Sequence, residues 1–147
     1  MSLLKDSVAV FMQDSPFCVT SSMTVFEVAK AMKAENIGTV IVANDKQLEG
    51  IVTDRDIVTK AIALGKNPEE TCIAEVMTLD PETVNQKSNC KEVLDKMADC
   101  GLRRLPVVDD NEELVGIISL SDLSSFIESN RTDMADILSV LSSDVRA

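Results

Sequence analysis

The chain contains one sequence unit twice, and this duplication constrains its fold more than any other feature. A shift of 65 residues aligns Met12 with Met77. After one inserted residue, the motif that begins at Gly50 aligns with the motif that begins at Gly116. Because the apolar positions also stay in phase, the duplication indicates a structural repeat. Two pseudo-equivalent halves can form paired clefts, which favours a ligand-sensing module over an enzyme with one asymmetric active site.

The two halves have the same predicted order of strands and helices. The first half predicts a strand around 18–20, a helix after a capping box at Thr24 and Glu27, a hairpin at 39–43 and 50–52, and a helix over 54–64. The second half predicts a strand around 83–85, a helix after Asn89, a hairpin at 105–108 and 114–118, and a helix from 122 to about 128. Each half is therefore a β-α-β-β-α unit, and the fold class is α+β.

The predicted domain boundaries follow the repeat. The first domain covers residues 8–64, a polar linker covers 65–72, the second domain covers 73–129 and a tail covers 130–147. The tail has the apolar spacing of an amphipathic helix, which packs either on its own domain or against a second chain; its apolar residues are Met134, Ile137, Leu138 and Leu141. Pro106 cannot donate to a ladder, so we expect its strand to lie at a sheet edge or to begin there.

Composition and charge exclude several classes of protein. The chain has 147 residues, a net charge of −11, four Phe and no Trp, Tyr or His. Binding of nucleic acid would need a basic face with interleaved aromatic side chains, which this acidic chain lacks. No apolar run reaches the ~20 residues of a membrane span. The N-terminus shows no signal-peptide pattern, so we expect a soluble, cytoplasmic protein.

The four cysteines do not have the spacing of a metal site. They show no C-x-x-C pair, and the chain has no histidine to complete a zinc set, so we expect no metal. Cys90 falls on an apolar helix stripe and is expected in the core. Thiol regulation through Cys18 or Cys100 is an alternative to the more common buried, structural role.

The repeated motif brings a hydroxyl and a carboxylate to the start of a helix in both halves. It reads Gly50-Ile51-Val52-Thr53-Asp54-Arg55-Asp56 in the first half and Gly116-Ile117-Ile118-Ser119-Leu120-Ser121-Asp122 in the second. One interpretation is a capping box with Asp in place of Glu, although we expect the shorter Asp side chain to reach the cap less well. The other is a ribose-phosphate site, in which the carboxylate accepts from vicinal hydroxyls while the Thr or Ser hydroxyl and the helix N–H groups contact phosphate.

These two motifs, together with Leu102-Arg103-Arg104-Leu105-Pro106-Val107-Val108, resemble a tandem cystathionine-β-synthase-type (CBS) domain pair, also called a Bateman module. The resemblance covers residues from about 8 to about 128. No enzyme or transporter domain accompanies the pair, so the chain resembles a stand-alone member. The resemblance implies two β-α-β-β-α units packed sheet to sheet about a pseudo-two-fold axis. It also implies that AMP, ADP, ATP, NAD or S-adenosylmethionine binds in one or both interdomain clefts.

The resemblance also implies the residues that contact such a ligand. The ribose hydroxyls would be held by Asp56 and Asp122, and the ribose or phosphate would contact Thr53 and Ser119. The phosphates would be contacted by Arg103 and Arg104, with Arg55 as a further candidate; a solvated surface is the alternative for the arginine pair. The adenine would lie against Val19, Thr20, Ile37, Ile41 and Val42, or against Val84, Asn85, Leu102, Leu105 and Pro106. The first half has Gly38-Thr39 where the second has Arg103-Arg104, while Arg55 aligns with the uncharged Ser121, so the asymmetry of charge runs in both directions. We therefore expect two sites of different affinity, and the sequence leaves open which arginines serve which site.

Three functional hypotheses follow. The first is a regulatory sensor that forms a homodimer of two such pairs, in which an adenosyl ligand shifts the relation of the halves or of the dimer and so alters an unknown partner protein. This hypothesis requires no cofactor beyond the regulatory ligand. The second is a ligand-free structural or dimerisation module. The third is an enzyme, which the sequence disfavours because it has no His, no nucleophile elbow and no phosphate-binding G-x-x-x-x-G-K-[ST] loop.

Overall fold

The chain forms two separate β-sheets, and each sheet belongs to its own compact unit. The structure is a computed structural model that describes residues 5–127. One unit is the segment Phe17–Pro81, called here the 17–81 unit. The other combines residues 5–16 with residues 82–127 and is called the 82–127 unit. Each unit has its own strands and helices, which confirms the predicted α+β class. The predicted tail over 130–147 lies outside the described residues.

The 17–81 unit has a four-stranded sheet with the order β1-β2-β3-β4. Its elements are β1 (Cys18–Val19), α1 (Val25–Glu35), β2 (Thr39–Asn44), β3 (Gln47–Thr53), α2 (Asp54–Ile57) and β4 (Thr78–Leu79). Strand β1 runs parallel to β2, and the other neighbouring pairs are antiparallel. The short connection between β2 and β3 makes them the hairpin that the sequence predicts.

The 82–127 unit repeats this arrangement with a three-stranded sheet of order β5-β6-β7. Its elements are β5 (Val84–Asn85), α3 (Cys90–Cys100), β6 (Arg104–Val108), β7 (Leu114–Ser119) and α4 (Leu120–Ile127). Strand β5 is parallel to β6, and β6 is antiparallel to β7. Within residues 5–127, no helix is both long enough and apolar enough to span a bilayer.

The first helix of each unit begins and ends at the residues that its sequence favours. Thr24 accepts from the backbone N–H of Glu27 at the start of α1, and Asn89 accepts from the N–H of Glu92 at the start of α3. These caps confirm the predicted helix starts, because each satisfies a backbone donor that the first turn leaves without a partner. Helix α3 ends at Gly101, whose φ of 66° is in the left-handed region that glycine adopts without strain.

Each unit has its own core between one face of its sheet and its longest helix. In the 17–81 unit the core includes Val25, Val28 and Met32 of α1 and Val40, Val42 and Val52 of the sheet. In the 82–127 unit it includes Cys90, Val93, Leu94 and Met97 of α3, Leu105, Val107 and Ile118 of the sheet, and Leu120 and Leu123 of α4. Full burial of a side chain of this size contributes roughly 1.5–3 kcal/mol. The predicted core position of Cys90 is confirmed.

The segment that precedes the first strand of each repeat packs in the unit that contains the other repeat's sheet. Val8 and Phe11 are buried in the core of the 82–127 unit, although they precede the strand of the first repeat. Their counterparts, Ile73 and Val76, are buried in the core of the 17–81 unit. Each segment also extends its sheet, since Gln13 bridges to β7 and β4 pairs with β3. The compact units therefore do not follow the order of the sequence repeats.

Strand β6 is the central strand of its sheet and begins at Arg104, so the prediction that Pro106 lies in an edge strand or begins its strand is wrong. Pro106 lies directly across from Ile117. The N–H of Ile117 donates to Gln13 O at 3.0 Å, and its carbonyl accepts from Gln13 N at 2.9 Å, so neither group faces Pro106. On the other side, β5 pairs with β6 only at Val107 and Val108. The missing N–H of Pro106 therefore removes no ladder hydrogen bond.

The helix predicted over 54–64 is α-helical only as far as Ile57. Residues Val58–Ile62 continue it as a π-helical turn, in which the N–H of Ala63 donates to Val58 O at 2.8 Å. Turns of this kind are rare and concentrate at functional regions of helices. Between residues 54 and 64 the sequence carries no proline or glycine that would have marked this change.

Candidate functional site

The first motif forms a reciprocal cap at the junction of β3 and α2. The N–H of Asp56 donates to Thr53 Oγ1 at 3.1 Å, and the N–H of Thr53 donates to Asp56 Oδ2 at 2.9 Å. The second carboxylate oxygen, Oδ1, lies 3.1 Å from Lys60 Nζ. The Asp56 side chain is 17% exposed, so it is held in place yet accessible to solvent.

The second motif repeats this geometry at the junction of β7 and α4. The N–H of Asp122 donates to Ser119 Oγ at 3.1 Å, and the N–H of Ser119 donates to Asp122 Oδ2 at 3.0 Å. The Ser119 hydroxyl also lies 3.0 Å from that of Ser121. The residue four positions after Asp122 is Phe126, which cannot form an ion pair as Lys60 does. Within residues 5–127, Asp122 Oδ1 has no hydrogen-bond or ionic partner.

Both Asp side chains complete their caps, so the expectation that Asp reaches less well than Glu is wrong. The bond from Thr53 N to Asp56 is 2.9 Å, whereas the bond from Thr24 N to Glu27 in the cap of α1 is 3.4 Å. Each Asp uses one oxygen for the cap. The other oxygen pairs with Lys60 in Asp56, but a carboxylate oxygen can accept more than one hydrogen bond, so capping and ligand binding are compatible at these positions.

The antiparallel register places a second polar residue across from each hydroxyl of the motif. Thr39 lies opposite Thr53, and Arg104 lies opposite Ser119. Directly opposite residues have their side chains on the same face of a sheet. In both units this is the face turned away from the unit's own core, because the flanking pairs Val40–Val52 and Leu105–Ile118 belong to the core.

The residues predicted for adenine binding in the first half are divided between the two faces of the sheet. Val19 and Val42 are core residues, and Ile37 packs against that core. Ile41 is fully buried and is the strand residue between the core residues Val40 and Val42, so it faces the same way as Thr39. Thr20 is exposed beyond the end of β1. Ile41 is thus the predicted adenine contact that shares a sheet face with Thr53.

The second half divides its predicted residues in the same way. Val84 and Leu105 are core residues, and Leu102 packs against the core. Pro106 lies on the face that carries Arg104 and Ser119, as Ile41 does in the other unit.

Asn85 ends β5, and its side chain already has partners at both ends. Its amide nitrogen donates to Asp110 at 3.1 Å, and its amide oxygen accepts from the N–H of Lys87 at 2.9 Å. A hydrogen bond and the charge of Lys87 hold the pKa of Asp110 below its usual value.

The three predicted phosphate-binding arginines differ in their surroundings. Arg103 is exposed, and its carbonyl accepts from the N–H of Leu120 at 2.8 Å, which ties the start of β6 to the start of α4. Arg104 is half-buried, and Arg55 is exposed in the first turn of α2. In the part of the chain that the structure describes, no carboxylate forms an ion pair with any of the three. All three are chemically available to an anion.

One polar residue at the site was not among the predicted ligand contacts. Thr39 is 5% exposed, and its hydroxyl is the buried side-chain polar atom without a hydrogen-bond partner in the described residues. The alignment of Thr39 with Arg104 was the one sequence signal that could have pointed to this residue. From it the sequence showed only that position 39 is uncharged. Among residues 5–127, no group of three or more Cys, Asp or Glu side chains can hold a metal ion.

Sequence comparison identifies the family. The CBS domain family matches residues 5–62 and 73–129, which is more than half of the chain. The uncharacterized protein YlbB of Bacillus subtilis is 38% identical over 132 residues, which are 88% of this chain and 85% of YlbB. The uncharacterized protein MK0525 of Methanopyrus kandleri is 40% identical over 101 residues, which are 68% of this chain. The chain spans about half of MK0525, 52% of its length.

Solved structures show the same fold. The conserved CBS domain protein TA0289 of Thermoplasma acidophilum matches with a TM-score of 0.78 and 30% identity, over 95% of this chain and 79% of TA0289. The CBS domain pair of protein MJ0100, solved with 5′-methylthioadenosine and S-adenosyl-L-methionine, matches with a TM-score of 0.73 and 29% identity, over 84% of this chain and 96% of that chain. The duplicated motif, the two matched segments and the shared fold agree, and the chain belongs to the CBS domain family, with two CBS domains in tandem.

Proposed function

We propose that the protein is a regulatory module that binds adenosyl ligands at two sites, one built on Thr53 and Asp56 and the other on Ser119 and Asp122. The observation that carries the proposal is the duplicated cap, in which each Asp uses Oδ2 for the helix start and leaves Oδ1, which in Asp56 also pairs with Lys60, with capacity for a further hydrogen bond. A carboxylate oxygen in that position can accept from the vicinal hydroxyls of a ribose. The related CBS domain pair of MJ0100 supports the ligand class, since it was solved with two adenosyl compounds.

The charges near each site support an anionic or polar ligand in an otherwise acidic protein. The net charge of −11 repels anions in general, so an anionic ligand needs local positive charge. Arg104 supplies such a charge on the sheet face of Ser119, and Arg103 is adjacent to it. In the 17–81 unit the nearby cations are Arg55 and Lys60, and Lys60 is already paired with Asp56. We infer that the sites differ in affinity and that the phosphate of a nucleotide prefers the arginine pair.

Calorimetry on protein freed of copurified small molecules tests the proposal. Native mass spectrometry first identifies any ligand that copurifies, and the stripped protein is then titrated with AMP, ATP, NAD and S-adenosylmethionine. We expect at least one of them to bind. Asp56→Ala and Asp122→Ala should each remove one site from the binding isotherm and leave the other. If none of the four ligands binds the stripped protein, the sensing function is wrong.

The regulatory output requires a protein that responds to the ligand. We propose a non-catalytic role in which the ligand shifts the module between two states and so alters a partner protein, by the difference of its affinity for those states. Affinity capture from a lysate, with and without the ligand identified above, tests this role. A partner whose capture depends on the ligand supports it. Conversion of the ligand to a product by the purified protein would contradict the non-catalytic role.

We propose that the chain forms a homodimer through one exposed apolar surface. Val58, Ile62 and Leu64 are large apolar residues with exposures of 57%, 54% and 68%, and they lie on or just after the π-helical turn. An apolar cluster of this kind on a soluble domain marks an interaction site. We propose that it forms the contact of a homodimer. Sedimentation should show a dimer for the wild type and a monomer for Val58→Asp/Ile62→Asp, whereas Val10→Asp, at another exposed apolar residue, should stay dimeric.

A further inference from the structure

The hydroxyl of Thr39 is a buried polar group to which residues 5–127 supply no hydrogen-bond partner. The Thr39 side chain is 5% exposed, and its Oγ1 makes no hydrogen bond within the described residues. A hydroxyl removed from water without a new partner costs free energy, so most buried hydroxyls are paired. An unpaired one next to a candidate binding site indicates that the partner arrives with the ligand.

The register shows on which side of the sheet this hydroxyl lies. Thr39 begins β2 and is directly across from Thr53 in β3. The neighbouring cross-strand pair, Val40 and Val52, belongs to the core and occupies the opposite face. Thr39 and Thr53 therefore share the face that is turned away from the core of their unit, and Asp56 is hydrogen-bonded to Thr53.

The equivalent position in the 82–127 unit carries a permanent charge instead. Arg104 begins β6 and is directly across from Ser119, as Thr39 is across from Thr53. A guanidinium is charged at every physiological pH and binds phosphate through several N–H groups. A threonine hydroxyl offers one donor and acceptor site without charge. The two sites therefore differ at the residue that faces the hydroxyl of the motif.

The surroundings of Gly38 reinforce this difference. A Cβ at Gly38 would lie 3.0 Å from Asp54 Oδ2, so the Asp54 carboxylate occupies the place where Arg103 begins its side chain in the other unit. The N–H of Asp54 donates to Gly38 O at 2.9 Å and holds this arrangement. In the 82–127 unit the residue equivalent to Asp54 is Leu120, which is buried in the core. A carboxylate thus lies against Gly38, where the other unit has Arg103.

We propose that Thr39 is a ligand-contacting, specificity-determining residue, and that the site on Thr39, Thr53 and Asp56 takes an adenosyl ligand without phosphate, whereas the site on Arg104, Ser119 and Asp122 takes a phosphorylated one. The hydroxyl of Thr39 hydrogen-bonds the phosphate-free ligand. The carboxylate of Asp54 and the absence of an arginine at position 39 disfavour a phosphate there. This inference rests on the proposed adenosyl binding.

Single-site variants allow each preference to be measured by calorimetry with adenosine and AMP as the probes. Asp122→Ala leaves the site of the 17–81 unit, and Asp56→Ala leaves the site of the 82–127 unit. We expect the Asp122→Ala protein to bind adenosine at least about tenfold more tightly than AMP, and the Asp56→Ala protein to show the opposite order, since a charge-assisted contact contributes on this scale. AMP preferred at both sites would overturn the inference and leave the proposed function standing.

The role of the hydroxyl itself is tested in the Asp122→Ala background. Thr39→Val keeps the shape and removes the hydroxyl, and we expect about tenfold weaker adenosine binding with an equal or higher midpoint of thermal unfolding. Thr39→Ser restores a hydroxyl and should recover most of the affinity. Thr39→Val with a raised midpoint and unchanged adenosine affinity would assign Thr39 a merely structural role and overturn the inference. If the wild type binds neither adenosine nor AMP nor any other adenosyl compound, the proposed function falls as well.

Discussion

Val8 and Ile73 are equivalent residues of the repeat, yet they are fully buried in the cores of different units. Val8 packs with the 82–127 unit, and Ile73 packs with the 17–81 unit. Backbone hydrogen bonds fix each segment in place, such as Val8 N to Ser88 O at 2.8 Å and Ile73 N to Met23 O at 2.7 Å. Each unit is thus completed by the segment that precedes the first strand of the other repeat.

This exchange predicts which unit each core substitution destabilises. Val8→Ala should destabilise the 82–127 unit and Ile73→Ala the 17–81 unit, because each leaves a cavity in a closed core; the Ile-to-Ala change costs roughly 2–5 kcal/mol. Hydrogen–deuterium exchange read by mass spectrometry locates the loss of protection, in β6 and β7 for the first variant and in β2 and β3 for the second. Val10→Ala, at an exposed neighbour of Val8, is the control and should change neither. Loss of protection in β2 and β3 of Val8→Ala would contradict the exchange.

The two glycines that begin the motifs are predicted to be intolerant of a side chain. A Cβ at Gly116 would lie 2.6 Å from Gln13 O and 2.7 Å from Met12 Sδ, closer than such atoms approach. A Cβ at Gly50 would lie 2.7 Å from Thr78 O. Since backbone must move in both cases, Gly116→Ala and Gly50→Ala should each destabilise the fold by roughly 1–3 kcal/mol, measured by chemical denaturation.

Gly65 provides the matched control for these two variants. Nothing lies within 4 Å of a Cβ at Gly65, so Gly65→Ala introduces only the strain of its φ of 73°. That strain costs roughly 1–2 kcal/mol without any steric contact. If Gly116→Ala unfolds at the same denaturant concentration as the wild type, the close approach of the residue 12–13 segment to β7 is wrong.

Substitution by asparagine should separate the capping role of the two aspartates from their binding role. Asp122→Asn keeps an amide oxygen that can accept from the N–H of Ser119, so the helix start is retained. It removes the charge and replaces one acceptor by a donor, which is a poor match for ribose hydroxyls. We expect adenosyl-ligand affinity at that site to fall at least about tenfold, while the free energy of unfolding changes by less than about 1 kcal/mol.

The same substitution at Asp56 tests whether the two halves behave alike. Asp56→Asn also removes the charged partner of Lys60, and the loss of this half-exposed pair, four residues apart on the helix, should cost no more than about 0.5 kcal/mol. Calorimetry and chemical denaturation on both variants check these expectations. If the loss of binding free energy equals the loss of unfolding free energy in each variant, the carboxylates act on binding only through the helix start.

Thiol reactivity should follow burial and charge. Cys90 is 1% exposed, and burial, assisted by the charge of Asp6, raises its pKa to about 11, so at neutral pH it is a protonated thiol. Burial also raises the pKa of Cys18, and burial with the charge of Glu82 raises that of Cys100, which disfavours the thiolate that thiol regulation would need. Cys72, which directly precedes Ile73, is exposed.

Alkylation with iodoacetamide, read by mass spectrometry, checks this order. Under native conditions at pH 8 we expect Cys72 and Cys100 to be labelled before Cys90. Because the pKa of Cys100 is raised, its labelling rate should reach its plateau at a higher pH than that of an unperturbed thiol. In concentrated urea all four cysteines should react alike. Native labelling of Cys90 as fast as Cys72 would contradict its burial.

Local sequence signals predicted most secondary structure and part of the site. Capping at Thr24, Asn89 and the two motifs depends on residues three positions apart, so the sequence contains the full pattern. The edge position of Pro106 was predicted wrongly because the tolerance of its missing N–H depends on Gln13, which is distant in sequence. Thr39 was missed because an unpaired hydroxyl is visible only when the burial and the partners of its surroundings are known.

By itself, the sequence determined the duplication, the α+β class, the family and the places where helices begin, since each of these depends on composition, spacing or contacts within one turn. Only the tertiary structure decided which core receives Val8 and which receives Ile73, that β6 lies at the centre of its sheet, and that Thr39 and Arg104 face the hydroxyls of the two motifs. These features depend on which distant segments pair across a sheet. Spacing along one chain does not encode that choice, because equivalent segments of a repeat carry the same local pattern.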